Sequence, residues 1–147
     1  MRGVDAAGGV TTLANMSCVA IAGRAVLIEG APGSGKSTLA LALIDRGAVL
    51  VGDDGVTLMT RDGCLWAAPP PNIEGLIEVR NVGLVKLPTC SAPVALAIRL
   101  AEDAPRFIET AGPVKRAGQL VPLVALYPAG SALPLRAEFA LKMHGLG

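Results

Sequence analysis

One octapeptide constrains this chain more than anything else in it. Gly30-Ala31-Pro32-Gly33-Ser34-Gly35-Lys36-Ser37 satisfies the phosphate-binding loop pattern G-x-x-x-x-G-K-[ST] without a mismatch. The context fits. Ala25-Val26-Leu27-Ile28 reads as a fully buried strand before the loop, and Lys36 to Arg46 reads as a helix after it. Backbone N–H groups of such a loop, opening onto a helix N-terminus, present partial positive charge to a polyphosphate. Lys36 would reach the terminal phosphates, and Ser37 would place its hydroxyl on Mg²⁺. At Gly30, Gly33 and Gly35 a Cβ would crowd the phosphates or forbid the backbone angles. With Ala31, Pro32, Ser34 and the following Thr38, these residues form the candidate nucleotide-binding set.

The rest of the chain alternates strand and helix signals around that loop. Residues 1–14 are small and polar and are expected to form a flexible arm, leaving 15–147 as one domain. Cys18 to Ile21 and Ala25 to Ile28 are expected as two short strands joined by a tight turn at Gly23. The helix from Lys36 puts Leu39, Ala40, Leu43 and Ile44 on one face, with Gly47 as a left-handed cap. Ala48 to Val51 is a buried strand leading into Gly52-Asp53-Asp54-Gly55. Val56–Thr60 and Cys64–Ala67 flank Asp62-Gly63, a strong hairpin signal. Pro69-Pro70-Pro71 is a rigid break, followed by a turn near Gly75 and an extended segment from Leu76. Leu84–Leu87, Val94–Leu100 and Gln119–Tyr127 are expected strands, the last interrupted or started by Pro122. In the second, Val94, Leu96, Ile98 and Leu100 fall on one buried face. Leu135 to His144 is expected as a closing helix ended by Gly145, with His144 favouring the helix dipole. The fold class is therefore α/β: a mixed sheet carrying a phosphate loop, with flanking helices.

Composition narrows the function classes. Hydrophobic residues make up 52% and aromatic residues only 3%, so the core must be aliphatic. A net charge of +1 gives no field for nucleic acid or an acidic membrane surface. No apolar run approaches the ~20 residues of a membrane helix, and the N-terminus lacks the apolar core of a signal peptide. Cys18, Cys64 and Cys90 are odd in number with no close pair, which points to small buried apolar residues in a reducing cytoplasm.

Two acidic sites stand out beyond the loop. Asp53-Asp54 follows a buried strand sixteen residues after Ser37. In phosphate-loop proteins an acidic residue at the end of a neighbouring strand reaches the Mg²⁺ shell or activates the nucleophile. Neighbours on an extended chain point to opposite sides, so one carboxylate should face the nucleotide while the other anchors the loop or faces the acceptor. Gly-Asp-Asp-Gly is also ordinary turn chemistry, and only the matched loop beside it favours function. Glu78 and Arg80 share a strand face, where spacing alone says no more than an exposed ion pair. The N-K-x-D tetrad of a guanine-specific site is absent from the sequence.

These stretches together resemble one family, HPr kinase/phosphorylase, in its catalytic domain. The resemblance runs from Val26-Leu27-Ile28-Glu29-Gly30 through Ile44-Asp45-Arg46-Gly47 and Leu50-Val51-Gly52-Asp53-Asp54. It continues through Ala68-Pro69-Pro70 to Gly75-Leu76-Ile77-Glu78-Val79-Arg80-Asn81-Val82-Gly83-Leu84, which is similar to the family's second signature. The resemblance implies a core like that of HPr kinase and phosphoenolpyruvate carboxykinase. It also implies transfer of the ATP terminal phosphate to a serine of the phosphocarrier HPr, and a reverse phosphorolysis with inorganic phosphate. Carried over by position, Lys36 holds the phosphates and Ser37 ligates Mg²⁺. Asp54 is the base that takes the serine proton, supported by Asp53, which also bears on the metal. Glu78 is a second metal ligand, Arg80 contacts phosphate or the acceptor, and Arg106 matches a further catalytic arginine. A cytoplasmic homo-oligomer, often a hexamer, is implied as well.

Three departures go with the resemblance. The family carries a histidine fifteen residues before the first loop glycine, and Asn15 stands there in this chain. Asparagine hydrogen-bonds but does not shuttle a proton near neutral pH, so weakened phosphorolysis or altered regulation is expected. The chain has the length of a short form without the regulatory domain of long members. The basic segment near the C-terminus of long members is replaced by Tyr127-Pro128-Ala129-Gly130-Ser131. A small-molecule kinase and a nucleotide-sensing module without turnover are the alternatives.

Overall fold

In a computed structural model of the chain, residues 9–72 and 74–147 are described. The loop is fed by a hairpin, β2 (Ser17–Ile21) and β3 (Arg24–Gly30). Ala22 and Gly23 both have positive φ, the two-residue turn whose twist suits paired strands. β3 runs through the loop into α1 (Lys36–Asp45), which ends where Gly47 turns left-handed at φ 113° and donates its N–H to the Ile44 carbonyl. β4 (Val49–Gly52) returns alongside β2, and a second hairpin, β5 (Gly55–Arg61) and β6 (Cys64–Ala68), turns at Asp62-Gly63 as expected.

β7 (Leu76–Val79) and β8 (Gly83–Lys86) form a separate two-stranded sheet. β9 (Ala92–Leu100) is the central strand, and β10 (Gly112–Arg116), β11 (Gln119–Leu126) and α2 (Leu133–His144) complete the order. The main sheet runs β1-β5-β6-β9-β3-β2-β4, where β1 is Val10–Ala14. β9 accepts three partners because two share one of its edges. β6 pairs only with its first two residues, and β11 joins in parallel from Ala97 to Leu100.

The alternating side chains feed two cores. One gathers Val26, Ile28, Leu96 and Ile98 under α1 and α2. The other gathers Cys18, Ala25, Leu27 and Ala97 under the curled β5–β6 portion of the sheet, with Val56 and Leu58. Both faces of β9 are therefore buried, as a strand covered on two sides requires.

Four expectations need correction. The arm expected over 1–14 is partly a strand, since Val10–Ala14 pairs antiparallel with β5; residues 1–8 lie outside the described residues. Its β-branched Val10, Thr11 and Thr12 suit an exposed edge, held by ladder bonds rather than by burial. Val94 does not share the face of Leu96. The β3–β9 register slips between Ala25 and Val26, passing over Ala95, and one extra residue turns Val94 into the opposite core. β11 runs unbroken through Pro122, which lies opposite Pro113 of β10, just before pairing with β9 begins at Leu123. Cys64 is exposed, at the hairpin end opposite Arg61. Cys18 is buried as expected, and burial, with Cys90 nearby, pushes its thiol pKa well above the ordinary range.

Candidate functional site

The Gly30–Ser37 loop lies between the end of β3 and the start of α1, where strand-end and helix-start N–H groups converge. Gly33 at φ 78° and Gly35 at φ 100° hold backbone angles that a side chain would strain. At Gly30 the constraint is space instead. A Cβ there would stand 2.5 Å from Ser34 Oγ, a buried hydroxyl without a partner. Lys36 reaches back across the loop and donates from Nζ to the carbonyls of Gly30 at 2.8 Å and Ala31 at 3.2 Å. Its ammonium is thus held at the loop's mouth.

Beside the loop the acidic turn is closed very tightly. A Cβ on Gly52 would lie 2.1 Å from the Gly55 carbonyl oxygen and 3.1 Å from Pro70 Cδ. The turn sends its two carboxylates to different tasks. Asp53 is buried, and its Oδ1 accepts from Ser37 Oγ at 2.6 Å and from Ser17 Oγ at 2.9 Å. Its Oδ2 accepts the Glu78 backbone N–H at 3.3 Å. Asp54 is exposed and left-handed at φ 59°, and its carbonyl accepts the N–H of Asn15, itself left-handed at φ 61°.

The β7–β8 hairpin forms the opposite wall. Ile77 is fully buried in the core under α1, so the intervening Glu78 faces outward. Leu87 N–H donates to the Gly75 carbonyl at 2.8 Å, and Thr89 Oγ1 donates to Glu74 at 3.0 Å, closing the base of the hairpin. Between the walls is a cleft of about 610 Å³. It is lined by the loop and α1 residues Pro32, Gly33, Gly35, Lys36, Ser37 and Thr38, by Asp53 and Asp54, and by Glu78 and Arg80. Asn15, Leu76, Asn81 and Leu84 complete the lining.

Almost every residue singled out in the sequence therefore meets in one place, although Glu78 is separated by 25 residues from the Asp53 carboxylate it touches. Arg106 is the exception. It is exposed in the connection from β9 to β10 and is not among the lining residues. Glu78 and Arg80 are not paired with each other; the salt bridges among the described residues are Arg46–Glu138 and Arg116–Glu29. The second is bidentate, at 2.7 Å for both bonds, and fixes the residue that precedes the loop. Contact with Glu29 raises the Arg116 pKa further. Sequence reasoning missed Ser17 and Asn81. A lone hydroxyl at the start of a wholly apolar strand was the available signal for Ser17.

The donor set suits a magnesium–polyphosphate ligand. A hydroxyl and a carboxylate already in contact are hard oxygen donors, and Mg²⁺ is usually held by one or two carboxylates plus substrate phosphates. No group of three His, Cys, Asp or Glu side chains able to cage a metal occurs among the described residues.

Residues 10–92 match the family model described as HPr Serine kinase C-terminal domain. An HPr kinase/phosphorylase of Exiguobacterium sibiricum is 42% identical over 80 residues, which is 54% of this chain and 26% of that protein. One of Streptococcus thermophilus is 46% identical over 68 residues, 46% of this chain and 22% of that protein. The matches thus span about a quarter of these relatives' length. Among solved structures, the HPr(Ser) kinase/phosphatase of Coxiella burnetii superposes with a TM-score of 0.78 at 29% identity, covering 90% of this chain and 88% of that one.

Proposed function

The chain belongs to the HPr serine kinase C-terminal domain family, and from that premise we propose that it is an ATP- and Mg²⁺-dependent serine kinase acting on an HPr-type phosphocarrier. The observation that carries this reading is the contact of Ser37 Oγ with Asp53 Oδ1 at 2.6 Å, inside the cleft that Lys36 and Asp54 also line. Loop hydroxyl, loop ammonium and two carboxylates in one cleft are the parts that phosphoryl transfer needs.

On this reading the Gly30–Ser37 amides cradle the phosphates, and Lys36 exchanges its loop carbonyls for phosphate oxygens. Ser37 and Asp53 hold Mg²⁺, with Glu78 as a further ligand; when bound, the ion neutralises charge on the phosphates. Asp54, exposed at the cleft, takes the proton from the acceptor serine as its Oγ bonds to the γ-phosphorus. The bond from that phosphorus to the bridging oxygen breaks, and ADP leaves. A serine hydroxyl is a weak nucleophile at neutral pH, so a positioned carboxylate base is chemically sensible. Arg80 stabilises charge on the transferred group. Arg106 lies outside the cleft lining and has no part in this scheme. A cytoplasmic homo-oligomer is inferred from the family resemblance; for the described residues, no helix is long and apolar enough to cross a membrane.

The test is transfer of label from [γ-³²P]ATP to purified HPr. Labelled phosphoserine is expected, with Asp54→Asn abolishing transfer while nucleotide binding persists. Label appearing on a small metabolite instead, or nucleotide binding without any transfer, would overturn the proposal.

A further inference from the structure

Ser17 stands outside the cleft yet touches its central carboxylate. It is 1% exposed, at the first position of β2, and is not among the lining residues. The buried polar side chains among the described residues are Ser17, Asp53 and Thr57, and the first two are bonded to each other. Ser17 Oγ donates to the same oxygen, Oδ1 of Asp53, that accepts from Ser37. Among the described residues, the one other bond to this carboxylate is the long one from the Glu78 N–H to Oδ2. Asp53 also follows the tightest point of the turn, where a Cβ on Gly52 would lie 2.1 Å from the Gly55 carbonyl oxygen.

We infer that Ser17 is a positioning residue: its buried hydroxyl locks Asp53 with Oδ1 turned toward Ser37, and so pre-forms the oxygen pair that holds the divalent cation. The inference rests on the proposed nucleotide–metal reading of the cleft. Ser17 has no path to substrate and acts only through Asp53. Such outer partners orient the ligating group, and losing one costs roughly 10–100-fold in metal affinity.

The experiment separates metal-dependent from metal-independent binding. Dissociation constants of a fluorescent ATP analogue are measured with Mg²⁺ and with EDTA for the wild type, Ser17→Ala and Ser17→Thr. Mn²⁺ binding is read directly by electron paramagnetic resonance, and thermal midpoints are recorded for each. Ser17→Ala is expected to lose about tenfold of the Mg²⁺-dependent gain and of Mn²⁺ affinity, with its EDTA affinity unchanged. Ser17→Thr, which keeps the hydroxyl on a residue suited to strands, restores most of both. A purely structural role would lower the midpoint and weaken both affinities alike. That result overturns the inference, as does a wild-type gain in Ser17→Ala or a failure of Ser17→Thr to recover it. A wild type that binds the analogue no better with Mg²⁺ overturns the reading of the cleft itself, and this inference with it.

Discussion

Gly52→Ala tests whether the acidic turn is as tightly closed as its geometry requires. The added Cβ would lie 2.1 Å from the Gly55 carbonyl oxygen, where ordinary contact needs more than an additional ångström. That oxygen is backbone, so it cannot rotate away; the Gly52–Gly55 turn must open, and Asp53 and Asp54 move with it. Pro70, 3.1 Å from the same point, blocks an easy retreat on the other side. Overpacking of this kind costs about 1–3 kcal/mol, and more when backbone must shift. In a chain of this size each kcal/mol lowers Tm by about 2–4 °C. Gly112→Ala is the comparison. Nothing lies within 4 Å of its Cβ and its φ is not left-handed, so it is expected to be neutral or to stabilise by about 0.4–1 kcal/mol. Equilibrium urea unfolding can be followed by Trp66, the single tryptophan, whose ring lies 4.3 Å from the Arg61 guanidinium carbon. The Gly52 variant should also lose Mg²⁺-dependent nucleotide binding under conditions where it is still folded. Equal midpoints for the two variants, with nucleotide binding intact in both, would refute the tight-turn account.

Ile77→Ala removes the fully buried anchor of the β7–β8 wall and is expected to cost about 2–5 kcal/mol. Hydrogen exchange should show the loss concentrated at 76–86 before the main sheet opens. Arg116→Ala strands the half-buried Glu29 carboxylate next to the loop and should destabilise by roughly 1–3 kcal/mol, more than Arg46→Ala at the exposed pair, as read by thermal melts. Thiol alkylation followed by mass spectrometry should modify Cys64 first and Cys90 more slowly, since burial raises the Cys90 pKa; Cys18 should react only on unfolding. Asn15→His should increase phosphate-dependent release of pyrophosphate from serine-phosphorylated HPr; equal rates for the two chains would remove Asn15 from any account of the reverse reaction.

Local chemistry was legible in the sequence because it is written in neighbouring residues. The strand–loop–helix unit around Lys36, the hairpins at Gly23 and Asp62-Gly63, the buried face of α1 and the Gly47 cap depend on periodicity, turn angles and side-chain size within a few positions. The placement of Asp53-Asp54 just after a buried strand was legible for the same reason. Pairings across the chain were not. β1 is an exposed edge strand ordered by its ladder with β5 and by Leu13 packed against the core. The slip at Ala95 depends on how β3 meets β9, not on either strand alone. The family resemblance grouped Arg106 with the catalytic residues, whereas in the structure it lies on the β9–β10 connection and is not among the residues lining the cleft.

The sequence by itself determined the strand–loop–helix unit at Gly30–Ser37, because glycine spacing and one lysine dictate its backbone and charge. Only the tertiary structure decided that Ser17, Ser37 and the Glu78 backbone converge on Asp53, across separations of 36, 16 and 25 residues. Those meetings follow from β4 lying beside β2 and from Ile77 seating the hairpin under α1. Strand order and burial of this kind are settled by the whole core at once, so no single stretch of chain encodes them.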